Sequence, residues 1–318
     1  MNFPLVSIVI PCHNAERWVA DAIQSALAQT YPAIEVVVVD DGSTDGSREI
    51  IQPFGERIKP EFIDHHGAAH ARNRGVEMAS GEFIQFLDAD DILFPHCVTT
   101  KIRAALNENA DVVYSGGFFF DLEANAGIYE SHAPTEDDLP GLVAHIIRGS
   151  LVTTILLLRR DRLVELGGFN EELTNGQEHE LLLRLAITES RFAYIPKALS
   201  CNRTKHSFDS ITSVTQHHPD RLEELFCRFE ARLKNTKLWL PSVRAALGWR
   251  FHMVGIGYLH SGDSRRAVRM FEKAKRIEPK YIAELPFSRR LLVPVLGGYT
   301  AENFLKKLRG IPFRLQTC

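Results

Sequence analysis

Residues 34–45, IEVVVVDDGSTD, decide the fold. The first six of these residues are almost all β-branched, which is typical of a strand buried on both faces of a parallel sheet. Two carboxylates, Asp40 and Asp41, follow the strand directly, and the polar turn 42–45 comes next. Open α/β sheets bind ligands beyond the carboxyl ends of their strands, so this position predicts a binding site. A loop that ends in a helix cap would explain the same polar residues.

Strand-like and helix-like segments alternate on both sides of this stretch. Residues 6–10 form a short β-branched run, and residues 15–29 have apolar side chains at helical spacing. Further strands are predicted at 58–63, 83–87 and 112–119, and further helices at 47–54, 70–79 and 95–106. This alternation predicts an α/β fold with a mostly parallel, Rossmann-like sheet and helices on both of its faces.

The chain divides into two predicted parts, a catalytic domain over 1–213 and a helical region over 214–318. Helical periodicity recurs at 221–234, 243–261 and 264–277. Residues 243–279 resemble one tetratricopeptide helix pair. A single copy cannot form a solenoid, because stacked repeats share their core. We therefore expect a helical hairpin that packs on another part of the protein, followed by a basic amphipathic tail.

The net charge of −3 is unevenly distributed along the chain. Residues 214–318 contain 20 Lys and Arg but 9 Asp and Glu, a net +11, which leaves −14 for residues 1–213. The acidic part could hold cations and the basic part could contact anions, although two differently charged solvated faces would give the same counts. The basic part lacks interleaved aromatic residues and zinc-ligand spacing, which argues against a nucleic-acid partner.

Composition and missing motifs exclude several classes of protein. Hydrophobic residues make up 45% and charged residues 24%, as in ordinary globular proteins. The sequence contains no apolar run of about 18 residues, so no membrane-spanning helix is predicted. The first residues do not resemble a signal peptide. The five cysteines form no CxxC pair, which suits a reducing cytoplasm. GxGxxG, P-loop and GxSxG motifs are also absent.

Three carboxylates, Asp88, Asp90 and Asp91, follow the predicted strand at 83–87. Like charges this close repel one another unless cations or solvent compensate them. Oxygen ligands of this kind suit Mg²⁺ or Mn²⁺, which often bridges protein carboxylates to a substrate phosphate. An acidic helix N-terminus would account for one of these residues but not for all three.

Other polar residues at predicted element ends have two interpretations each. Asn14 follows the first strand, where it could line a site or cap the next helix. Glu178 begins a predicted helix, where it could accept a proton or simply favour the helix dipole. Arg203 and His206 follow a predicted strand; His206 could contact a metal-bound diphosphate or lie in a surface loop.

These residues together resemble the family 2 glycosyltransferases, which have the GT-A fold. The resemblance covers about residues 1–213 and depends on several motifs in the family's order. The matching segments are VSIVIPCHN at 6–14, VDDGSTD at 39–45, GAAHARNRG at 67–75, ASGEFIQFLDADD at 79–91, GGFNE at 167–171 and EHEL at 178–181.

The resemblance implies an inverting, hexosyltransferase-type enzyme that moves a sugar from a nucleotide-diphosphate sugar to a hydroxyl group. A glycan or a lipid-linked molecule would be the acceptor, as in the synthesis of cell-envelope polysaccharides. The implied location is the cytoplasm, and the basic C-terminal region leaves open a peripheral contact with the inner face of the membrane.

The resemblance also implies a role for each site residue. Asp88 and Asp90 would form the DxD motif, with Asp90 as the direct ligand of Mg²⁺ or Mn²⁺. Glu178 would be the catalytic base, and His179 and Glu180 remain alternatives. The residues that would bind the nucleotide sugar are Pro11, Asn14, Asp41, Arg72 and Arg203. His206 would be a metal ligand, and Arg203 and His206 would close over the metal-bound diphosphate.

Two other functions remain open at this stage. A nucleotidyltransferase would also use metal-bound carboxylates, but it usually needs a Gly-rich basic loop that residues 11–17 do not supply. A catalytically inactive module that only binds nucleotide sugars is the second alternative. The presence of Asp41, Asp88, Asp90 and Glu178 speaks against such a loss of activity.

Overall fold

The computed structural model describes residues 3–121, 126–130, 139–149, 151–174, 176–204, 218–285 and 287–309. The chain forms two compact units. The first contains Met1–Ala133 and Ser150–Ser207, and the second contains Pro134–Gly149 and Phe208–Cys318. The helix Leu139–Arg148 therefore belongs with the C-terminal helices, although it precedes residue 213 in the sequence.

The described strands of the first unit form one mixed sheet. They are β1 (Val6–Cys12), β2 (Ile34–Asp41), β3 (Lys59–Ile63), β4 (Phe83–Phe86), β5 (Ile92–Leu93), β6 (Val112–Asp121), β7 (Ala126–Glu130), β8 (Leu156–Arg159) and β9 (Phe192–Thr204). The order is β3-β2-β1-β4-β8-β6-β9-β5, and β7 pairs with β6. Strands β1 to β4 are parallel, whereas β8 is antiparallel to both of its neighbours. The predicted α/β class with helices around a mostly parallel sheet is confirmed.

Helices of the first unit connect or cover these strands. They are α1 (Val19–Leu27), α2 (Ser47–Ile51), α3 (Ala68–Met78), α4 (Cys97–Glu108), α6 (Arg160–Glu165) and α7 (Gln177–Ile187), while α5 (Leu139–Arg148) lies in the second unit. Helix α1 starts four residues later than the predicted start at residue 15. The backbone N–H groups of Ala15 and Glu16 instead donate to Ser47 and Asp45 in the segment after β2.

The core of the first unit lies around β1 and β2. Val36, Val37, Val38 and Val39 are all buried, as a two-sided strand requires. Helix α3 packs closely on β1, because a Cβ atom at Gly75 would lie 2.3 Å from Val9 Cγ1. This close approach requires glycine at position 75.

The sequence pattern predicts two short strands, at 192–195 and 198–202, but both are parts of the single strand β9. Its parallel pairing with β6 shifts register on both sides of Gly116. Such irregularities disturb the alternation of side chains, so the sequence pattern divides one strand into two.

The second unit is helical. Besides α5 it contains α8 (Pro219–Leu233), α9 (Pro241–His260), α10 (Ser264–Ile277), α11 (Phe287–Leu296) and α12 (Gly298–Arg309). Helices α9 and α10 pack so closely that a Cβ atom at Gly255 would lie 2.7 Å from Phe271. This pair agrees with the expected hairpin, and its tetratricopeptide character stays a prediction. None of the helices in the described ranges is long and apolar enough to cross a bilayer.

Candidate functional site

The carboxyl ends of β2, β1 and β4 lie side by side at one edge of the sheet. Cys12 pairs with Asp40, and Val9 pairs with both Val37 and Phe86. Asp41 ends β2 and Asp88 follows β4 by two residues, so both lie beyond the same edge. Strand β1 separates them, which corresponds to two strand spacings, or about 10 Å. Asp41 and Asp88 therefore lie beyond the carboxyl ends of two strands that both pair with β1.

Asp41 is buried, and its carboxylate holds the loop that follows β3. Its Oδ1 accepts the backbone N–H of His66 at 2.8 Å, and its Oδ2 accepts that of Gly67 at the same distance. His65 Nδ1 lies 2.9 Å from Oδ2. Asp41 therefore has a fixed orientation at the strand end, where sequence reasoning expects the nucleobase.

Asp40, the other carboxylate of the pair, serves the fold. It is fully buried, and its Oδ1 accepts hydrogen bonds from Arg48 Nε at 2.7 Å and from the Ser43 N–H at 3.1 Å. The sequence does not distinguish Asp40 from Asp41, because only the pleat of β2 decides which side chain faces which way.

Asn14 connects the loops after β1 and β2. Its Oδ1 accepts the Thr44 N–H at 2.8 Å, and its own N–H donates to Ser43 Oγ at 3.0 Å. It adopts a left-handed backbone with φ of 50°, which Asn tolerates better than most residues. It does not cap α1, whose N-cap is Trp18. Pro11 lies within β1, opposite Val39.

The acidic turn is the segment after β4 that contains Asp88, Asp90 and Asp91. The carboxylate of Asp88, at the start of this turn, has two side-chain partners. Arg72 Nη2 donates to its Oδ1 at 2.8 Å, and Thr153 Oγ1 donates to its Oδ2 at 2.9 Å. Asp88 and Asp90 are half-buried, and the Asp88 side chain is 30% exposed. Nothing in the sequence marks Thr153 as a partner, since it is 65 residues away.

Asp91 differs from its two neighbours because it is buried among donors. Its Oδ2 accepts hydrogen bonds from Thr154 and Asn202 at 2.6 Å, and its Oδ1 accepts the Arg203 N–H at 3.0 Å. Burial raises the pKa of the Asp91 carboxyl well above its usual range, and the negative charges of Asp88 and Asp90 raise it further. Asp91 thus joins the turn to β9.

The donor set of the turn fits a hard divalent cation. Asp88 and Asp90 supply only carboxylate oxygens, which Mg²⁺ and Mn²⁺ prefer. The same two charges raise the pKa of Asp91, which means that they create a negative field inside the turn. A bound cation would offset that field.

Arg72 joins the acidic turn to the start of helix α7. It is 9% exposed, and besides Asp88 it donates from Nη1 to Gln177 Oε1 at 3.1 Å. Gln177 also donates to the Leu173 carbonyl at 2.6 Å, so the amide is held from both sides. Sequence reasoning missed this role of Gln177. No local sequence signal indicates this contact, because Arg72 and Gln177 are 105 residues apart.

Glu178 lies next to this contact, in the first turn of α7. Its side chain is 22% exposed, and its Oε1 lies 3.0 Å from His179 Nδ1. Burial by itself would raise the pKa of Glu178, but His179 and, more weakly, Arg72 lower that pKa to about 2. The carboxylate is therefore ionised at neutral pH. Glu180, an alternative base, is buried and forms an ion pair with Arg184 at 2.9 Å.

Arg203 lies near helix α1. Its Nη2 donates to Asp21 Oδ2 at 2.9 Å, and its guanidinium lies 4.7 Å from the centre of the Trp18 ring. Its backbone N–H holds Asp91, so the residue also connects β9 to the acidic turn. His206 falls outside the described residues.

Comparison with known structures defines the class of the first unit. The chain superposes on the crystal structure of S. aureus TarS 1-349 in complex with UDP-GlcNAc with a TM-score of 0.70 and 16% identity, covering 96% of this chain and 92% of that one. It superposes on the mannosyltransferase PcManGT from Pyrobaculum calidifontis, in complex with GDP-Man and Mn²⁺, with a TM-score of 0.57 and 16% identity, covering 97% and 88%. The fold is that of the GT-A glycosyltransferases.

Sequence comparison shows similarity to one family over the N-terminal part of the chain. The sequence model of Glycosyl transferase family 2 matches residues 7–160. An uncharacterized glycosyltransferase of Rickettsia bellii is 30% identical over 227 residues, 69% of this chain and 32% of the relative. Glycosyltransferase GlyG of Streptococcus pneumoniae is 35% identical over 129 residues, 39% of this chain and 42% of the relative. The matched region spans about a third of the rickettsial protein. Residues 7–160, about half of this chain, are therefore similar to the family 2 glycosyltransferases.

Proposed function

We propose that this protein catalyses the metal-assisted, inverting transfer of a sugar from a nucleotide-diphosphate sugar to a hydroxyl group. The observation that carries the proposal is the double contact of Arg72 with Asp88 and Gln177. Through Arg72, Asp88 of the acidic turn is connected to Gln177, the residue before Glu178, which supports the proposal. Both halves of a displacement reaction, leaving-group stabilisation and proton acceptance, then have residues at one site.

The nucleotide would bind at the ends of β1 and β2. Asp41 would accept a hydrogen bond from the nucleobase, with Pro11 and Asn14 in the same wall of the pocket. The hydrogen bonds from His66 and Gly67 fix the Asp41 carboxylate before a ligand arrives, which lowers the entropic cost of binding. TarS and PcManGT, which share this fold, have structures with UDP-GlcNAc and GDP-Man.

Asp90, together with Asp88, would hold Mg²⁺ or Mn²⁺. When bound, such an ion supplies positive charge to the diphosphate leaving group. Arg72 and Thr153 keep Asp88 in position by binding one oxygen each. Arg203 and His206 are proposed to contact the diphosphate from the segment after β9.

Glu178 would take the proton of the acceptor hydroxyl. Because its pKa is low, the carboxylate is ready to accept a proton at neutral pH, although it is a weak base. Its main contribution would be to orient the hydroxyl oxygen and to receive the proton as the new glycosidic bond forms. Attack from the side opposite the diphosphate inverts the configuration at the anomeric carbon.

The acceptor is proposed to be a glycan or a lipid-linked molecule, at the cytoplasmic side of a membrane. The charge distribution supports this proposal, since residues 214–318 carry a net +11. Basic surfaces of this kind bind anionic lipid headgroups.

A panel of UDP-, GDP- and dTDP-sugars tests the function. We expect one donor class to release its nucleoside diphosphate slowly with Mn²⁺ in the absence of an acceptor, and faster with a suitable acceptor. Asp90→Ala should reduce this release by about 100-fold or more, whereas Glu108→Ala, at an exposed site on α4, should not change it. Release of pyrophosphate from nucleoside triphosphates would instead indicate a nucleotidyltransferase. Donor binding without turnover would indicate an inactive module.

A further inference from the structure

A second group of metal-binding side chains lies at the ends of β1, β2 and β3. One ring nitrogen each of His13 and His65 and a carboxylate oxygen of Asp41 all lie within 4.8 Å of one another. His13 and His65 are exposed, whereas Asp41 is buried. An ion could therefore reach this cluster from solvent without unfolding any element.

The three side chains are held in place by the fold. His13 Nδ1 lies 2.7 Å from the Asp41 carbonyl oxygen, and His65 Nδ1 lies 2.9 Å from Asp41 Oδ2. The two imidazole rings are stacked, with 4.2 Å between their centres. The backbone N–H groups of His66 and Gly67 fix the carboxylate. A shared ion requires separations of about 3.3 Å between its ligand atoms for bonds near 2.0 Å. The three atoms already lie within 4.8 Å of one another, so rotation of the exposed imidazoles would bring the most distant pair to this separation.

The donor chemistry differs from that of the acidic turn. Two imidazoles and one carboxylate are the ligands of Zn²⁺ and similar transition-metal ions, whereas Asp88 and Asp90 offer oxygens alone. Three protein ligands leave a fourth tetrahedral position for water or another ligand. The two sites should therefore select different ions from the same solution.

We propose that His13, Asp41 and His65 form a site for Zn²⁺ or a similar transition-metal ion, separate from the carboxylates Asp88 and Asp90. We further infer that this ion competes with the nucleotide, because it uses the carboxylate that is proposed to bind the nucleobase. The competition rests on the proposed function, but binding of the ion does not. Micromolar Zn²⁺ would then inhibit the enzyme at constant Mg²⁺.

Visible absorption of Co²⁺ tests the site, because low-coordinate Co²⁺ absorbs more strongly than hexaaqua Co²⁺. The full chain is titrated with Co²⁺ in saturating Mg²⁺, which imidazoles bind poorly. We expect one equivalent to give intense bands that Zn²⁺ removes. The variant His13→Gln/His65→Gln should bind at least about tenfold more weakly. His96→Gln, at an exposed histidine outside the cluster, and Asp90→Ala should bind as the wild type does.

Unchanged Co²⁺ affinity in the double variant, or the absence of intense bands in the wild type, would overturn the site. Both histidines are exposed, so the double variant should keep the wild-type melting temperature, which is checked in parallel.

Zn²⁺ should weaken binding of the nucleoside diphosphate in the wild type but not in the double variant. Equal nucleotide affinity with and without Zn²⁺ in the wild type would overturn the competition. Failure of every nucleotide to bind would refute the proposed function, while the Co²⁺ titration would still decide the metal site.

Discussion

At the scale of single residues, Arg72 connects the two groups on which the proposed chemistry depends. It donates to Asp88 in the acidic turn and to Gln177 at the start of α7, and its charge helps to lower the pKa of Glu178. Arginine suits this position, because its planar guanidinium can bind two acceptors in fixed directions and remains charged when buried. Lysine would supply the charge but not the two directed contacts.

The role of Glu178 can be separated from that of the donor site by Glu178→Gln. The amide keeps the shape of the side chain but cannot accept the acceptor's proton, so transfer should fall by about 10²- to 10⁴-fold. Affinity for the nucleotide diphosphate should stay within about threefold, since Glu178 does not lie in the acidic turn. Transfer rates and calorimetric titrations measure the two effects. The control is Glu165→Gln, which removes the charge of an exposed ion pair between Glu165 and Arg162 on α6. Weakened donor binding in Glu178→Gln would remove Glu178 from the role of base.

The lowered pKa of Glu178 also predicts a pH dependence of stability. A carboxyl group with a pKa of 4.5 when unfolded and about 2 when folded stabilises the protein above pH 4.5, and this contribution is lost as the pH falls towards 2. At pH 7, Glu178→Gln should therefore lower the free energy of unfolding by roughly 1 to 3 kcal/mol. The difference from the wild type should shrink between about pH 4.5 and pH 2. Urea unfolding at several pH values checks this; a difference that does not change with pH would contradict it.

At the scale of secondary-structure elements, the acidic turn depends on β9. Asp91 is the acceptor for donors from Thr154, Asn202 and the Arg203 backbone, so it joins β4, the segment before β8, and β9. These hydrogen bonds attach the acidic turn to the sheet, so the sheet fixes the orientation of Asp88 and Asp90. Sites built on sheet ends in this way are more precise than sites on free loops.

Asp91→Ala should therefore destabilise the first unit. It leaves buried donors of Thr154, Asn202 and Arg203 without their acceptor, at a cost of about 2 to 4 kcal/mol. Asp91→Asn, which keeps one acceptor oxygen, should cost less. Chemical denaturation measures both, and Asp161→Ala, at an exposed ion pair of α6, serves as the control. Wild-type stability in Asp91→Ala would show that these hydrogen bonds do not hold the turn.

Local sequence patterns predicted the elements well and their contacts less well. Strand β2 and the positions of Asp41 and Asp88 follow from apolar runs and from the rule that parallel strands end at one edge. The partners of Arg72 do not follow, because Thr153 and Gln177 are 81 and 105 residues away. Asn14 has the sequence context of a helix cap, but tertiary hydrogen bonds to Ser43 and Thr44 determine its position.

At the scale of the whole molecule, the two halves of the sequence carry opposite charge. Helix α10 of the second unit carries three exposed arginines on one face, Arg265, Arg269 and Arg276, spaced four and seven residues apart. The exposed Glu272 lies on the same face, and Arg269 forms an ion pair with Glu223. The negative charge of the first part would repel the diphosphate that is proposed to bind there, and a bound cation would offset this repulsion. The basic second part is suited to an anionic surface, in agreement with the proposed lipid-linked acceptor.

Binding to anionic vesicles tests the role of these three arginines. We expect the protein to sediment with vesicles of phosphatidylglycerol and phosphatidylcholine at low salt and to dissociate at about 0.5 M salt, because salt screens surface charge. Arg265→Glu/Arg269→Glu/Arg276→Glu should weaken this binding by about tenfold or more. Arg103→Glu, at an exposed site of the first unit, should not. Binding that is unaffected by both salt and charge reversal would exclude an electrostatic contact.

The central claim is that Asp88 and Asp90, in the turn after β4, bind a divalent ion and, through it, a nucleotide diphosphate. Calorimetric titration with the nucleoside diphosphate of the active donor, with and without Mg²⁺, tests it most directly. The account predicts at least about tenfold tighter binding with Mg²⁺ in the wild type and the same weak affinity under both conditions in Asp90→Ala. Equal affinity with and without Mg²⁺ in the wild type would contradict it.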